Sequence, residues 1–196
     1  MRALILSLAL LAAPAHATPE YQFPGLFDVT GVAAADVLNL RDRPDARAEI
    51  IGSLAPDARN IEVVAQADGW ARVNLTEASG WVSMRFLSYH PDIWRDDLPA
   101  SLGCFGTEPF WSIGQSRTGL LFSTPEAQRD FGPAKVLRSE NSTAPQRAVI
   151  AGAMTLVITP GACSDGMSDR AFGLQALAIM GGDVPRLLTG CCSVQP

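Results

Sequence analysis

The sequence predicts an all-β protein in two parts: a small barrel, followed by a disulfide-stapled antiparallel β domain that is either a barrel or a sandwich. Three observations carry that expectation. Apolar and polar residues alternate with period two in short runs, pairs drawn from Gly, Pro, Asp and Ser interrupt those runs, and all four cysteines fall in the second half. With 47% hydrophobic and 18% charged residues the chain has enough apolar material for packed cores, and 196 residues allow one or two domains.

The N-terminus reads as a targeting segment. Met1-Arg2 is a short positive start, residues 3–13 are almost wholly apolar, and Ala15-His16-Ala17 fits the small-x-small cleavage pattern, which predicts a signal peptide over 1–17 removed after Ala17. The apolar run falls well short of the roughly 20 residues of a membrane-spanning helix, and no later segment supplies one. A lipoprotein needs a cysteine at the cleavage site, whereas the first cysteine is Cys104. The expectation is a periplasmic or secreted protein, not a lipoprotein, with no membrane span in its mature form.

The first half then runs through short strands in order. Val37, Asn39 and Arg41 alternate with Leu38 and Leu40, Ile50 to Leu54 leads into the Pro56-Asp57 turn, and Ile61, Val63 and Ala65 alternate with Glu62 and Val64. Asp68-Gly69 makes the next turn. After it, Ala71, Val73 and Leu75 face one side of a strand, and Trp70, Arg72 and Asn74 face the other. Ser79-Gly80 turns into Trp81-Val82-Ser83, and Phe86-Leu87 closes the module. Residues 89–99 carry two prolines and a charge cluster, which marks 90–99 as a linker and 100–196 as a second domain.

The second half repeats the β theme. Strands are expected at Phe110 to Ile113, Gly119 to Phe122, Ala148 to Thr159 with a break at Gly152, Leu174 to Met180 and Leu187 to Cys192, with Gly181-Gly182-Asp183 as a hairpin connection. Ser123-Thr124-Pro125-Glu126 can start a short helix that Phe131-Gly132-Pro133 ends, and residues 138–147 read as a mobile loop. Four cysteines in an exported chain imply a disulfide framework. Pairing the adjacent Cys191 and Cys192 would close a strained ring, which leaves two connectivities; on a strand these two side chains point to opposite faces, so each can meet a different partner.

Residues 27–89 resemble the bacterial SH3 domain. The resemblance rests on Leu38, Asn39, Leu40, Arg41 and Pro44, then Gly52 and Leu54, then Gly69-Trp70, then Gly80-Trp81-Val82, with Asp57-Ala58 standing where that family often has a lysine-glycine turn. It implies an SH3-like barrel and a binding role toward cell-wall glycan or peptide, or toward proteins. The candidate ligand-binding residues are Trp70 and Trp81, whose aromatic faces suit stacking, and Asn39, Arg41 and Asp42, whose polar groups can fix orientation. Residues 100–193 resemble a family of small exported bacterial β domains through Gly106-Thr107-Glu108-Pro109-Phe110-Trp111-Ser112, Cys163-Ser164-Asp165-Gly166-Met167-Ser168-Asp169-Arg170 and Gly190-Cys191. That second resemblance implies a Cys163–Cys191 disulfide and leaves Cys104–Cys192 as an extra clamp. It brings no activity with it.

Charge and nucleophile content narrow the function classes. Twenty acidic against 15 basic residues, a formal charge of −5, repel nucleic acid and anionic headgroups at long range, so no nucleic-acid partner is expected. Past Ala17 the only histidine is His90, in the linker, so no Ser-His-Asp, Cys-His or His-ligated zinc arrangement is expected within one domain, and no metal or cofactor is expected. Glu108, Asp165 and Asp169 read as loop architecture, with Arg170 pairing Glu108 or Asp169; a carboxylate-dependent glycosidase is the least favoured alternative. The expected function is therefore a non-catalytic envelope protein that binds peptidoglycan or a wall-associated partner. The alternative is a protein-binding inhibitor or accessory of a secreted enzyme.

Overall fold

The computed structural model describes residues 21–91, 93–95, 98–140 and 145–195; the expected signal peptide and its Ala17 cleavage site lie outside them. Two antiparallel sheets make up the fold. The first contains β1 (Gly25–Val29), β2 (Leu38–Arg41), β3 (Ile50–Leu54), β4 (Ile61–Ala67), β5 (Trp70–Asn74), β6 (Ser79–Ser83) and β7 (Leu87–Tyr89), with a 3-10 turn at Met84–Phe86. Its order is β3-β2-β6-β5-β4-β1-β7. The alternation read from sequence sets its inner face: Leu38, Leu40, Val63, Ala71, Val73 and Val82 are buried around Phe27, while Asn39, Arg41, Trp70, Arg72, Trp81 and Ser83 point outward. At Asp68-Gly69 both residues have positive φ, 48° and 79°, as a two-residue hairpin with right-handed strand twist requires, and this turn sets Trp70 at the start of β5.

The second sheet contains β8 (Gly103–Thr107), β9 (Phe110–Gln115), β10 (Leu120–Ser123), β11 (Gln128–Asp130), β12 (Ala134–Arg138), β13 (Arg147–Ala151), β14 (Met154–Cys163), β15 (Phe172–Met180) and β16 (Arg186–Ser193). Its order, β11-β10-β9-β8-β16-β15-β14-β13-β12, is one continuous sheet rather than the two layers of a sandwich. It curls about a single core to which Trp111, Phe122, Val149, Leu156, Leu174 and Leu188 all contribute. The helix expected from Ser123 does not form. Thr124 instead closes a tight turn, accepting the Ala127 N–H on its hydroxyl and donating its own N–H to the Ala127 carbonyl, and β11 follows at once. The segment 134–138 is a strand paired with β13, so the loop expected from 138 begins only where β12 ends.

Two disulfides staple this sheet, Cys104–Cys192 and Cys163–Cys191. Adjacent positions on β16 send Cys192 into the core and Cys191 to the opposite face of the sheet, where it is also buried, toward Cys163 at the end of β14.

Within the segment expected as a linker, Trp94 is packed. Trp94 is 3% exposed, sits in the core of the second sheet beside Leu26 of β1, and donates its indole N–H to the Pro24 carbonyl at 2.7 Å. Further contacts join the sheets directly. The Asn74 amide exchanges two hydrogen bonds with the Ala171 backbone, 2.8 and 2.9 Å, and Asp169 N–H donates to the Glu77 carbonyl at 3.0 Å. Glu62 on β4 is buried, accepting from Ser193 Oγ at 2.5 Å and from Val194 N–H at 3.0 Å.

Candidate functional site

The outer face of β2, β5 and β6 is where the candidate ligand residues meet. Register places Trp70 opposite Ser83, Arg72 opposite Trp81, and Arg41 opposite Trp81 on its other side. Beside this face lies a groove of about 720 Å³, within the roughly 300–1,000 Å³ of small-ligand sites. Asn39, Arg41 and Trp70 all line it, joined by Asp36 from the β1–β2 loop and by Arg85 and Phe86 from the 3-10 turn. The Met84 N–H donates to the Gly69 carbonyl at 2.9 Å, which holds the 3-10 turn against the hairpin that carries Trp70. The Arg85 guanidinium lies 4.3 Å from the centroid of the Phe86 ring, so the groove presents a half-exposed indole and a cation-covered phenyl ring.

The five residues proposed from sequence divide in the structure. Among the described residues the Asn39 side chain has no hydrogen-bond partner, so its amide is available to a ligand. One Arg41 nitrogen is committed to the Ala48 carbonyl at 2.6 Å, bracing the 42–49 loop. Trp81 shares the outer face but stands outside the groove, between Arg72 and Arg41. Asp42 also lies outside it, on an exposed loop and paired with Arg43 at 3.3 Å. Arg85 and Phe86 escaped sequence reading. Their segment has no period-two pattern, and only the 3-10 turn swings them toward Trp70.

The carboxylates of the second domain are engaged locally. Asp165 accepts the N–H groups of Met167 and Ser168, at 3.0 and 2.9 Å, and the Ser168 hydroxyl at 2.8 Å. Burial pushes its carboxyl up, but these bonds and the Arg170 charge outweigh it and hold the group below the usual aspartate range. Arg170 does not form the ion pair expected with Glu108 or Asp169; its guanidinium lies over the Phe172 ring, 5.0 Å from the centroid. His90 is paired with Asp28 at 3.1 Å.

No curated protein and no solved structure matches the chain. A family-model match covers most of the groove and not the second sheet. Residues 36–88 match the family model of the bacterial SH3 domain, so the module that presents Asn39, Arg41 and Trp70 is a bacterial SH3 domain.

Proposed function

We propose that this protein is a non-catalytic exported binder of the cell envelope, whose SH3 module engages peptidoglycan through the groove around Trp70. The carrying observation is the convergence of a half-exposed indole, an unpartnered amide at Asn39 and a guanidinium at Arg85 on one concavity. A sugar ring or peptide stem presents apolar faces for the indole and carbonyls or carboxylates for the two donors. The two disulfides fit an extracellular setting, and no helix among the described residues is long and apolar enough to cross a membrane. Support for the non-catalytic reading comes from the oxidised cysteines, the engaged Asp165 and the pairing of His90 with Asp28.

Mature protein incubated with purified sacculi is expected to co-sediment with them. Trp70→Ala should cut retention about 30-fold, the loss of a central aromatic contact worth about 2 kcal/mol. Its half-exposed position lets the variant keep its fold, which circular dichroism checks. No retention of the wild type, or equal retention of a folded variant, would sink the proposal. Release of soluble muropeptides that disappears with Glu108→Gln would instead establish a glycosidase.

A second reading, a protein partner, draws support from the outer face of β13, β15 and β16, where Ile150, Leu177, Ile179 and Leu187 are each at least 40% exposed. Stoichiometric capture of one periplasmic protein without sacculus binding would favour it.

A further inference from the structure

The motif that runs from Cys163 to Arg170 has no part in the SH3 groove, yet its last residue lines a second concavity. Where β4 and β5 of the first sheet meet the end of β14 and the start of β15 of the second, they enclose a cleft of about 610 Å³. The two sheets approach closely there: a Cβ at Gly173 would stand 3.2 Å from the Val64 carbonyl oxygen. Docking of the sheets also fixes the chain on either side of Arg170. The Asp169 N–H donates to the Glu77 carbonyl, and the Ala171 backbone is held by the Asn74 amide.

The Arg170 guanidinium is held in place but has no acceptor. It lies over the ring of Phe172, which is 2% exposed and meets Phe105 edge-on, 5.0 Å between centroids. Among the described residues none accepts a hydrogen bond from any of its three nitrogens. Nε is covered by protein and out of reach of a guest, whereas the two terminal nitrogens remain accessible. Asp165 and Glu62 feel the charge of Arg170, but neither pairs with it and neither lines the cleft. Part-buried donors of this kind normally find acceptors, and a guanidinium has no acceptor capacity of its own, so what it lacks is an oxygen that carries lone pairs.

The other walls narrow the chemistry. Arg72 on β5 lines the same cleft; Ser79 Oγ accepts from its Nε and Nη2, at 3.2 and 2.9 Å, and Nη1 is left unpaired. The charged residues of the cleft are these two arginines and Asp169, so it carries a net formal charge of +1 on a chain whose overall charge is −5. A positive concavity attracts anions, and the planar fork of a guanidinium matches a carboxylate with two parallel bonds. The Asp169 carboxylate opposes a second negative charge on the guest. Phe23, Val64 and Pro160 add an apolar wall.

We propose that the cleft between the two sheets binds a small organic monocarboxylate. Its carboxylate accepts from the terminal nitrogens of Arg170 and from Arg72, and its apolar body lies along Phe23, Val64 and Pro160. The site is separate from the SH3 groove and does not depend on the envelope-binding reading.

The probe that tests it is dansylglycine, whose emission brightens and moves to the blue when the ring leaves water; dansylamide carries the same ring without the carboxylate. With the full mature chain the expected result is saturable one-to-one binding of dansylglycine and at least about tenfold weaker binding of dansylamide. Arg170→Gln should weaken dansylglycine binding by about tenfold or more, and Arg170→Lys, which keeps the charge and loses the fork, by about three- to tenfold. Asp169→Asn removes the opposing charge and should tighten binding about twofold. Urea midpoints confirm that each variant is folded, and Trp70→Ala should leave binding unchanged. The proposal is overturned by absence of saturable binding to the wild type, by dansylamide that binds as well as dansylglycine, or by undiminished binding in both folded Arg170 variants. Inorganic phosphate that displaces the probe as readily as acetate does would overturn the ligand class. Loss of binding in Trp70→Ala with none in Arg170→Gln would put the probe in the SH3 groove and overturn the site.

Discussion

Replacing Cys104 and Cys192 together by alanine is expected to destabilise the protein by at least about 4–5 kcal/mol, more than replacing Cys163 and Cys191. The bond closes a loop between positions 88 residues apart, for which the chain-entropy relation gives about 4.5 kcal/mol. Cys163–Cys191 closes a separation of only 28 residues, about 3.5 kcal/mol by the same relation. Packing widens the gap. Cys104 and Cys192 are 1% and 0% exposed within the core of the second sheet, and their removal also leaves space that neighbours only partly refill. They sit directly opposite one another where β8 meets β16, the one joint in this sheet that brings together strands from its two ends in sequence. Urea denaturation of the two double-alanine variants measures the difference, and a Cys163/Cys191 variant that is the less stable of the two would contradict it.

The second large effect concerns Glu62. Glu62→Ala strips the acceptor from the Val194 N–H and the Ser193 hydroxyl in a closed interface, and should cost about 2–4 kcal/mol at pH 4. Its pH dependence is distinctive. Burial pushes the Glu62 carboxyl above its ordinary value of 4.5, against the hydrogen bonds from Ser193 and Val194 and the charge of Arg170. The folded protein therefore holds this proton more tightly than the unfolded chain does. The resulting stability is fully present below the unfolded value and is lost as pH rises through the folded one. Glu62→Gln retains an acceptor without a titrating group, so wild type should lose ground to it as pH is raised from 4 to 7. Urea midpoints of the pair across that range test the point. A constant difference would show that Glu62 ionises as an ordinary glutamate.

Both effects mark the limits of reading a linear sequence. Within one strand, period-two alternation is a local property, and it placed Leu40, Val63, Val73 and Val82 inside and Trp70 and Arg72 outside, where the structure has them. The same rule put Glu62 and Asn74 on the outer face, with no sign that either would be covered. They are buried because the second sheet lies over that end of the first, through contacts between residues 97 to 132 positions apart. Pattern within a strand carries no information about what docks on its far side. The linker shows the same gap: prolines and charges in 90–99 mark a connection, but Trp94 is drawn inside by a carbonyl at Pro24, 70 positions away.

The groove was half legible for the same reason. Asn39, Arg41 and Trp70 lie on strands whose facing follows from their neighbours, so the sequence determined that they share a surface. Arg85 and Phe86 lie in a 3-10 turn, and Trp81 and Asp42 miss the concavity because of local twist and loop path, which only the folded backbone decides. In the second domain the sequence determined that Cys191 and Cys192 must face opposite ways. The tertiary structure decided that one enters the core and the other is buried on the opposite face of the sheet, and that Trp111 fits between two glycines with its N–H unmet. Alternation is dictated by the two-residue repeat of an extended chain. Burial, partner and cavity depend on chain segments that meet only when the whole sheet has closed.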